Sequence, residues 1–491
     1  MYNKCMAKRK LNSDDRRFFS LVSDAAFANP FSGKRFQIDK EIVREDAESW
    51  FEIQPKVIEQ VTDRISKLDG TTKSKVNDFR DEDILIVKHA YLFEAFHKLI
   101  VGFDDLIGRQ VATDNSLVVP FAKDGIANLE QRGFDKEEAK RFFAMFYQIR
   151  RAFYFIEKGL IGKCASMEKL RTNLWNNIFT HDIFHYEKYF WDKMEDFSTL
   201  LLGPTGSGKG TAAAAIGRSA YIPFDDKKNC FVESFTRTFV TINLSQFAES
   251  LLESELFGHT KGAFTGAVTE YEGILATCSR YGAVFLDEIG EISLPVQIKL
   301  LQVLQERIFS PVGSHKSKPF NGRVIAATNQ SITDLRAEGR FRDDFYYRLC
   351  SDCIEVPSLQ TRIRENPNEL NELIAKTVER ITANKSGELI AAVSEVIDKK
   401  LGKNYPWPGN VRELEQCVRR VIIKQDYEGE KVISTKDQAD IFTENVRKGE
   451  LDAKELISGY CKLLHEQLGT YEQVGRKTGL DRRTVKKHIE G

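Results

Sequence analysis

The sequence has few cysteines and no long apolar run. Its 491 residues include eight scattered cysteines, of which only Cys350 and Cys353 form a CxxC pair. Because a zinc site of this type needs a second pair, we do not expect one. The apolar segment 349–356 instead favours core cysteines in a buried strand. No uncharged stretch is long enough to span a bilayer, and no apolar run follows the charged residues 1–10. We therefore expect a cytoplasmic protein without a secretory signal.

The sequence also lacks an excess of charge of either sign. Lys plus Arg and Asp plus Glu number 72 each, so no global field favours nucleic acid or membrane, and any nucleic-acid site must be a local patch. Hydrophobic residues make up 42% and charged residues 29%, a balance typical of soluble globular proteins. The length is too great for one ordinary core and predicts about three or four domains.

A phosphate-binding loop is the first motif that carries chemistry. The apolar run 198–202 precedes a glycine-rich loop, and the helix-forming run 211–215 follows it. In this context backbone N–H groups and the helix N-terminus cradle phosphate, and a lysine reaches the outer phosphates. Gly210 stands where a Ser or Thr magnesium ligand is usual, and Thr211 comes one place late. The flanks favour nucleotide binding over a chance glycine turn, at Gly203, Pro204, Thr205, Gly206, Ser207, Gly208, Lys209, Gly210 and Thr211.

Further apolar runs predict a parallel sheet. They are separated by segments long enough for crossover helices on both faces, which predicts five parallel strands. One run ends in Asp287 and Glu288, at the edge of the sheet where ligands of such folds bind. Asp287 is placed to hold Mg²⁺ directly or through water, and Glu288 is a candidate base for an attacking water. The runs after the phosphate-binding loop are 239–242, 283–286, 323–327 and 353–356.

Residues 255–267 form a glycine-hinged segment with an aromatic tip. Its three glycines, at every fourth position, would each cost an interior helix about 1 kcal/mol relative to Ala, so the segment is a loop. Phe264 at the tip has no local apolar partner. It is either a contact surface for another molecule or a ring that folds back into its own core.

Together these motifs resemble the AAA+ domain of bacterial sigma-54-dependent transcription activators, from about residue 160 to 416. The family implies an ATPase subdomain at 156–362, a helical lid at 363–430, and ATP with Mg²⁺ as cofactors. The matching segments, in order, are 160–167, the phosphate-binding loop, 253–267, 282–291, 300–306, 326–329, 339–349 and 407–414. The unaltered GAFTGA signature implies a sigma-54 contact at Gly262, Ala263, Phe264, Thr265, Gly266 and Ala267.

The resemblance also assigns sensor positions. Thr328 and Asn329 match the position that feels the terminal phosphate, and Arg412 matches a second sensor on the lid. Asn243 matches a residue that restrains the catalytic glutamate until a partner is engaged.

Two further positions match arginine fingers that a neighbouring subunit inserts. These are Arg342 and Arg348. Fingers of this kind can raise the rate of hydrolysis by a factor of ~10³–10⁵. The alternative role of these arginines is a surface ion pair with the neighbouring Asp343 or Asp344. Because fingers act in trans, the resemblance implies a ring, expected to be a hexamer.

The sequence departs from the family in three places. Gly210 replaces the usual Glu after the lysine, the aromatic-rich stretch 174–191 lengthens the approach to the phosphate-binding loop, and 221–230 is an insertion. The sequences of segments 203–206, 310–314 and 365–370 resemble those of the family branch that regulates RNA-repair operons.

Residues 448–491 resemble the Fis-type helix-turn-helix end of the same family. Gly475 allows close helix contact, Gly479 makes the turn, Asp481 caps the second helix and Val485 packs it against the first. The outward residues are expected to bind DNA phosphates and bases, the alternative being a solvated basic helix face. They are Arg482, Arg483, Thr484, Lys486 and Lys487. Upstream, a packing or dimer helix is predicted with one face of Leu456, Ile457, Tyr460, Leu463, Leu464 and Leu468.

The N-terminal region, residues 1–155, is predicted to be mostly helical. Its clearest amphipathic segments are 84–96 and 140–149. The resemblance implies a regulatory role, but the sequence names no signal. Four aromatics are interpreted as core or a helix–helix seam rather than a ligand pocket: Phe142, Phe143, Phe146 and Tyr147.

The leading hypothesis is an ATP-hydrolysing activator that binds upstream double-stranded DNA, forms a ring and remodels the sigma-54 RNA polymerase closed complex. One alternative is a nucleotide-binding DNA-binding repressor or scaffold that does not drive polymerase. Another is an AAA+ remodeller of a different target. The intact loop signature and both finger arginines argue against the first alternative, and the basic helix-turn-helix argues against the second.

Overall fold

A computed structural model describes residues 8–402, 404–429, 442–443, 446, 449 and 451–490. The chain divides into two compact units, residues 1–427 and 428–491. In the described part of the chain, every helix is too short or too polar to cross a bilayer.

The N-terminal region is helical, as predicted. Capping side chains start several helices; the Asn12 side chain accepts from Asp15 N at the first, and the Asp135 side chain accepts from Glu138 N at the last. The helices are α1 (Ser13–Phe27), α2 (Gly33–Val43), α3 (Trp50–Asp69), α4 (Asp81–Gln110), α5 (Ala122–Gln131) and α6 (Lys136–Gly159).

Two long helices contain the amphipathic segments predicted for this region. Segment 84–96 lies in α4 and segment 140–149 in α6. The four aromatics of α6 are buried in the core, as the sequence indicated: Phe142, Phe143, Phe146 and Tyr147. Helix α6 continues past residue 155, so the predicted boundary between the regulatory region and the ATPase lies inside one unbroken helix.

The core of the central domain is a five-stranded parallel sheet with the order β4-β5-β8-β1-β9. The side chains along each strand point alternately to the two faces of the sheet. Val284 packs with α10 and α12 on one face, and Phe285 packs with α7 and α9 on the other. The strands are β1 (Thr199–Leu202), β2 (Phe224–Asp225), β3 (Cys230–Phe231), β4 (Phe239–Asn243), β5 (Ala283–Asp287), β6 (Ile308–Phe309), β7 (Lys318–Pro319), β8 (Arg323–Thr328) and β9 (Asp352–Glu355). The helices are α7 (Ala165–Phe179), α8 (Ile183–His185), α9 (Lys209–Gly217), α10 (Glu249–Phe257), α11 (Ile274–Thr277), α12 (Leu294–Glu306), α13 (Ile332–Ala337) and α14 (Asp343–Leu349).

The strand that carries the CxxC pair lies at the edge of the sheet. Strand β9 pairs only with β1 among the named strands, and Cys353 on it is exposed while Ile354 is buried. The prediction of core cysteines in a buried strand was therefore wrong at Cys353, because only the face of β9 that carries Ile354 packs into the core. Cys350 is half-buried at the end of α14.

Both insertions pack against the N-terminal helices. Segment 221–230 forms the β2–β3 hairpin, and Phe231 at its end stacks on Tyr147 of α6 with ring centroids 4.0 Å apart. In the aromatic-rich stretch, Phe184 meets Phe27 of α1 edge to face at 6.0 Å. The departures from the family thus form part of the contact between the N-terminal helices and the domain that contains the five-stranded sheet.

Among the described residues the lid contains helices α15 to α18, and a buried ion pair links it to the segment before α7. The Arg362 guanidinium donates to Glu369 Oε2 at 2.7 Å, with both side chains buried. Glu369 Oε1 accepts from Cys164 N at 2.9 Å, and Arg362 Nη2 donates to Ile161 O at 2.6 Å. The lid helices are α15 (Leu359–Glu365), α16 (Glu369–Thr382), α17 (Gly387–Lys400) and α18 (Asn410–Lys424).

The C-terminal unit contains α19 (Ala453–Leu468), α20 (Tyr471–Thr478) and α21 (Arg482–Glu490). Val474 and Val485 are fully buried between the last two helices. A Cβ on Gly475 would lie 2.8 Å from Leu480 O, so this close helix approach requires glycine. The apolar face predicted for α19 is divided, because Leu464 is buried but four of its members are exposed: Leu456, Ile457, Tyr460 and Leu468.

Candidate nucleotide-binding site

The phosphate-binding loop joins β1 to α9, as the sequence predicted. Gly206 has φ +77°, and a Cβ there would lie 2.2 Å from Gly409 O of the lid, so both conformation and space require glycine. Lys209 is buried, and its Nζ donates to Gly203 O at 2.8 Å and to Pro204 O at 3.3 Å. Burial lowers the pKa of this ammonium, which Asp287 and Glu288 partly oppose.

One hydroxyl in this loop has no partner. Ser207 Oγ is buried and makes no hydrogen bond among the described residues. A loop of N–H groups with an unpaired hydroxyl and a buried lysine fits a phosphate chain, since phosphate oxygens accept from all of these donors.

A cavity of about 430 Å³ opens over this loop. Eight of the residues predicted to bind ATP line it: Thr205, Gly206, Ser207, Gly208, Lys209, Gly210, Thr211 and Arg412. The other three, Gly203, Pro204 and Asn329, are not part of its wall. The catalytic candidates Asp287 and Glu288 and the switch candidate Asn243 also line the cavity. The wall also includes apolar residues of the kind that suit a nucleobase: Leu160, Ile161, Met167, Leu170, Leu373 and Val411.

The lid contributes cations to the cavity that the sequence did not single out. Lys376 and Arg380 lie one helical turn apart on α16 and both line the cavity. Their i, i+4 spacing places them on one helix face, and that spacing was a usable signal. Nothing in the sequence, however, indicated which face of α16 meets the nucleotide.

The acidic pair lies at the carboxyl end of β5, at the mouth of the cavity. Glu288 has φ +57°, an uncommon conformation for a non-glycine residue and one that clusters at functional sites. Its Oε2 accepts weakly from Asn329 N at 3.4 Å, while Asn329 Nδ2 donates to Thr205 Oγ1 at 2.8 Å. Asn329 thus bridges the acid and the phosphate-binding loop.

The other sensor candidates are placed differently. Thr328 is fully buried at the end of β8, and its Oγ1 accepts from Gln330 N at 3.1 Å, behind the cavity wall. Asn243 pairs in register with Asp287 on the neighbouring strand, but its Oδ1 accepts from Ser245 N at 3.0 Å. Restraint of Glu288 by Asn243 therefore stays a prediction.

The residues present fit Mg²⁺ only together with a nucleotide. Within the described residues, no group of three or more His, Cys, Asp or Glu side chains is arranged to hold a metal ion. Mg²⁺ commonly takes one or two carboxylates, with phosphate oxygens and waters completing its shell. Asp287 supplies one such carboxylate, and Gly210 adds no hydroxyl.

The two finger candidates lie outside the cavity of their own chain. Arg342 donates to both carboxylate oxygens of Asp344, at 3.0 and 2.7 Å, and keeps 40% of its side chain exposed. Arg348 Nε instead donates to Leu304 O at 2.9 Å. The surface ion pair considered for these arginines is thus present at Arg342.

The GAFTGA segment forms a compact turn on the surface. Gly262 N donates to Ala267 O at 2.8 Å, closing the turn, and Ala267 is buried beneath it. Phe264 is 38% exposed, with its ring edge to face against His259 at 5.0 Å. The aromatic tip therefore takes neither extreme considered for it, since it is partly covered by its own loop and partly open.

The candidate DNA-binding residues all lie on α21. Asp481 Oδ1 accepts from Arg483 N at 2.9 Å and Thr484 N at 3.1 Å, the predicted cap. Arg482 pairs with Glu472 at 2.8 Å. Arg483, Lys486 and Lys487 are exposed, and Thr484 is half-buried.

Two protein-family models match the chain, the sigma-54 interaction domain at residues 176–355 and an AAA+ ATPase lid domain at residues 364–454. The chain is 30% identical to the C4-dicarboxylate transport transcriptional regulatory protein DctD of Rhizobium meliloti (strain 1021), over 78% of this chain and 77% of that protein. It is 40% identical to the transcriptional regulatory protein GlrR of Escherichia coli (strain K12), over 45% of this chain and 47% of GlrR.

The second match spans about half the length of each protein. Among solved structures, NtrX from Brucella abortus in complex with ATP is similar at 20% identity and a TM-score of 0.41, covering 75% of this chain and 80% of that chain. The match to DctD extends over most of both sequences, and the sigma-54 interaction domain covers the sheet, the phosphate-binding loop and the GAFTGA turn. This chain belongs to the family of sigma-54-dependent transcriptional regulators.

Proposed function

We propose that this protein is an ATP-hydrolysing transcription activator that binds upstream double-stranded DNA, assembles into a ring and remodels the sigma-54 RNA polymerase closed complex. The observation that carries the proposal is one cavity in which the phosphate-binding loop, the acidic end of β5 and the lid residue Arg412 meet. In an AAA+ fold such a site couples nucleotide state to the angle between core and lid.

In this proposal each side chain has a separate task in hydrolysis. Lys209 and the loop N–H groups hold the outer phosphates, and Asn329 orients the terminal one through its position beside Thr205. Glu288 accepts the proton of the attacking water. Mg²⁺, held by Asp287 and the phosphates, would supply charge stabilisation.

Arg342 and Arg348 would complete the site of a neighbouring subunit. Guanidinium groups match the developing charge on phosphate oxygens bidentately, and neither arginine reaches the cavity of its own chain. To act, Arg342 must leave Asp344, an exchange of one exposed charge partner for another that costs little. If each subunit inserts its arginines into the site of the next, the subunits form a closed ring. We expect this ring to be a hexamer and to be located in the cytoplasm.

The GAFTGA turn would be the output of the ring. His259, just before the turn, forms backbone bridges with Tyr271 and with Val312. The turn is therefore held in place by two backbone connections. Asn243 and Glu288 would sense ATP, and the turn would present Phe264 and Thr265 to sigma-54 when ATP is bound. The remaining signature residues, Gly262, Ala263, Gly266 and Ala267, would allow the turn to move.

The C-terminal unit would bind DNA through α21. Phosphate contacts from Lys486 and Lys487 would dominate affinity, with Arg482, Arg483 and Thr484 nearest the base edges. Arg482 would exchange Glu472 for DNA.

The test is whether substitutions in the GAFTGA turn abolish sigma-54 binding without abolishing ATP hydrolysis. Purified protein should hydrolyse ATP and trap sigma-54 in the presence of ADP and aluminium fluoride. Thr265→Ala should abolish trapping but keep ATPase activity, whereas the exposed Thr269→Ala serves as the matched control and should trap normally. ATP hydrolysis by wild-type protein without trapping would instead support one of the two alternatives, a regulator that does not drive polymerase or a remodeller of a different target.

The catalytic assignment has its own matched pair. Glu288→Ala should lower the rate of ATP hydrolysis at least about a hundredfold, as expected for loss of a general base. Glu291→Ala, three residues on and exposed, should hydrolyse normally. Normal hydrolysis by Glu288→Ala would refute the assignment.

A further inference from the structure

Cys350 and Cys353 form a thiol pair that the proposed function leaves unused. Cys350 caps the carboxyl end of α14, where it is half-buried, and Cys353 lies exposed on β9, with two residues between them. The Cys353 thiol donates a hydrogen bond to the Cys350 sulfur. Two thiols in contact at the surface of the protein are arranged to react with each other once one of them is oxidised.

The positions of both cysteines are set by regular structure. Cys350 N donates to Tyr346 O at 2.9 Å, in the last turn of α14. Cys353 pairs in register with Leu200, in the parallel ladder between β9 and β1. The contact between the two sulfurs is therefore fixed by the end of a helix and the start of a strand.

The Cys350 sulfur carries the more reactive thiol of the pair. The hydrogen bond from Cys353 lowers the pKa of Cys350 to about 7 against the effect of burial, and the Tyr346 hydroxyl lowers it further. A large fraction of this thiol is therefore thiolate at neutral pH, and the thiolate is the nucleophile. The same hydrogen bond raises the pKa of Cys353, which keeps its proton.

The other cysteines in the described part of the chain lack this activation. Burial raises the pKa of each of their thiols, so they stay protonated at neutral pH. They are Cys164, Cys230, Cys278, Cys417 and Cys461. Among the residues that the structure describes, Cys350 is thus the thiol best suited to attack an oxidant.

We propose that Cys350 and Cys353 are a redox modification site, at which a hydroperoxide converts the two thiols into an intramolecular disulfide. The Cys350 thiolate attacks one peroxide oxygen and the O–O bond breaks, which leaves a sulfenic acid on the sulfur and a hydroxide that takes up a proton. The Cys353 thiol then loses its proton and attacks that sulfur, and the second oxygen leaves as water. With hydrogen peroxide, the two thiols give up two electrons and two protons, and the peroxide is reduced to two water molecules. Because Cys350 is half-buried, a small oxidant reaches its sulfur more readily than a large disulfide would.

The pair adjoins the two finger candidates. Arg348 lies two residues before Cys350, and Arg342 caps the other end of the seven-residue α14. Hydrogen-bonded sulfur atoms lie well beyond the ~2.05 Å of an S–S bond, so one of them must move when the bond forms. Because β9 is paired with β1, the end of α14 takes up that movement. In a consequence that rests on the proposed function, the disulfide displaces Arg348 and slows ATP hydrolysis.

Mass spectrometry after graded treatment with hydrogen peroxide tests the modification site. The reduced full-length protein is treated, quenched with catalase, alkylated and digested. We expect the segment that carries Cys350 and Cys353 to lose two hydrogen atoms before Cys230, which is also half-buried, reacts. Dithiothreitol should reverse the change. Absence of this disulfide, or oxidation of Cys230 at the same or a lower peroxide concentration, would overturn the proposal.

Single variants test the order of the two steps. Cys353→Ser still donates a hydrogen bond to Cys350 but cannot resolve its sulfenic acid, which dimedone should therefore trap. Cys350→Ser should react with peroxide at least about tenfold more slowly, since an ordinary thiol is mostly protonated at neutral pH. Cys230→Ser is the matched control and should form the disulfide as the wild type does. Equal dimedone labelling of the two cysteines in the two single variants would contradict the assigned roles.

Hydrolysis measured on the same samples tests the consequence for the finger. The oxidised wild type should hydrolyse ATP at least about tenfold more slowly than the reduced protein, as expected if a finger is displaced. Its affinity for a fluorescent ATP analogue should not change, because neither thiol lines the nucleotide cavity. The double variant Cys350→Ser/Cys353→Ser should hydrolyse ATP normally with and without peroxide.

The outcomes separate this inference from the proposed function. Hydrolysis at full rate by the disulfide form would overturn the effect on Arg348. A reduced wild type that does not hydrolyse ATP would instead refute the proposed function, and the mass spectra would still decide whether the modification site exists.

Discussion

Asn410 donates a hydrogen bond from its side-chain amide to the backbone oxygen of Thr205, at 2.9 Å. Its side-chain oxygen accepts from Leu359 N at 2.8 Å, and the residue is almost fully buried with φ +53°. One asparagine, at the first residue of α18, therefore joins the phosphate-binding loop, the start of α15 and the lid. Arg412, two residues further along, is positioned by this connection.

We expect Asn410→Ala to weaken nucleotide binding about tenfold, since the substitution removes two buried hydrogen bonds of about 1 kcal/mol each. Alanine is also less tolerant of a positive φ than asparagine. Titration with a fluorescent ATP analogue measures the effect. Asn371→Ala on the exposed face of α16 is the control, and equal affinities of the two variants would argue against this role of Asn410.

Two glycines of the phosphate-binding loop should respond oppositely to alanine. Gly206→Ala places a methyl group 2.2 Å from Gly409 O at a left-handed backbone position, and should reduce ATP binding below detection. Gly210→Ala meets no atom within 4 Å and lies in α9, so it should bind ATP and raise stability by up to about 1 kcal/mol. ATP binding and thermal unfolding, measured on both, check the pair. A destabilised Gly210→Ala protein would contradict this geometry.

The buried ion pair of the lid should be sensitive to loss of charge. Glu369→Gln leaves the Arg362 guanidinium buried without a carboxylate, and we expect a loss of about 3–5 kcal/mol in the free energy of unfolding. Differential scanning calorimetry of the full chain measures the change. Glu388→Gln, in the exposed first turn of α17, should leave the transition where it is.

Stability should fall on mild acidification because of a buried histidine. His89 is packed between Phe27 and Phe184, and burial lowers its ring pKa to about 4. Lys88 lowers the pKa further and Asp182 raises it. The native state keeps this ring neutral while the unfolded chain binds a proton below about pH 6.5. Stability is therefore complete above that pH and is lost toward pH 4, by at most about 1.4 kcal/mol per pH unit.

Melting temperatures between pH 7 and pH 5 measure this loss before most carboxylates titrate. His89→Gln retains a polar group for Ser23, whose Oγ lies 2.6 Å from His89 Nδ1, but cannot be protonated. Its melting temperature should depend less on pH than that of the wild type. Identical pH profiles would exclude His89 as the source.

DNA affinity should depend on the exposed cations of α21. Lys487→Ala should weaken binding about equally for all sequences and reduce the slope of log affinity against log salt by about 0.9. Arg483→Ala should also relax sequence preference. Lys454→Ala, exposed in α19, is the control. Fluorescence anisotropy with labelled duplexes at several salt concentrations distinguishes these outcomes, and an unchanged slope for Lys487→Ala would contradict a phosphate contact.

The sheet and the phosphate site could be predicted because their signals are local. Each strand of the core is a short apolar run. Asp287 and Glu288 follow one such run directly, and Lys209 follows another after the glycine-rich loop. The carboxyl ends of parallel strands share one edge, so strand order was not needed to bring these residues together. The position of β9 at the edge of the sheet was not predicted. Strand order decides which strands have a neighbour on both sides, and local apolar runs do not reveal that order.

Contacts between distant segments could not be predicted in the same way. The sequence contained Asn410 within a recognised motif but gave no reason for its bond to Thr205. The hairpin at 221–230 was identified as an insertion, yet its packing on Tyr147 depends on a helix that begins 85 residues earlier, at Lys136. Phe142 and Phe146 were correctly interpreted as buried, but they also line a cavity of about 90 Å³ among helices α1 to α4 and α6.

By itself the sequence determined the class of fold, the nucleotide loop, the acidic strand end and the GAFTGA turn, because residue type and short-range spacing suffice for each. The tertiary structure alone decided that the two insertions meet the N-terminal helices, that α16 places Lys376 and Arg380 on the wall of the cavity over the phosphate-binding loop, and that Arg35 and Trp175 border one cavity. The physical reason is that a cavity is formed by the space that packed helices leave unfilled. That space depends on the relative placement of segments far apart in the chain, which no local pattern encodes.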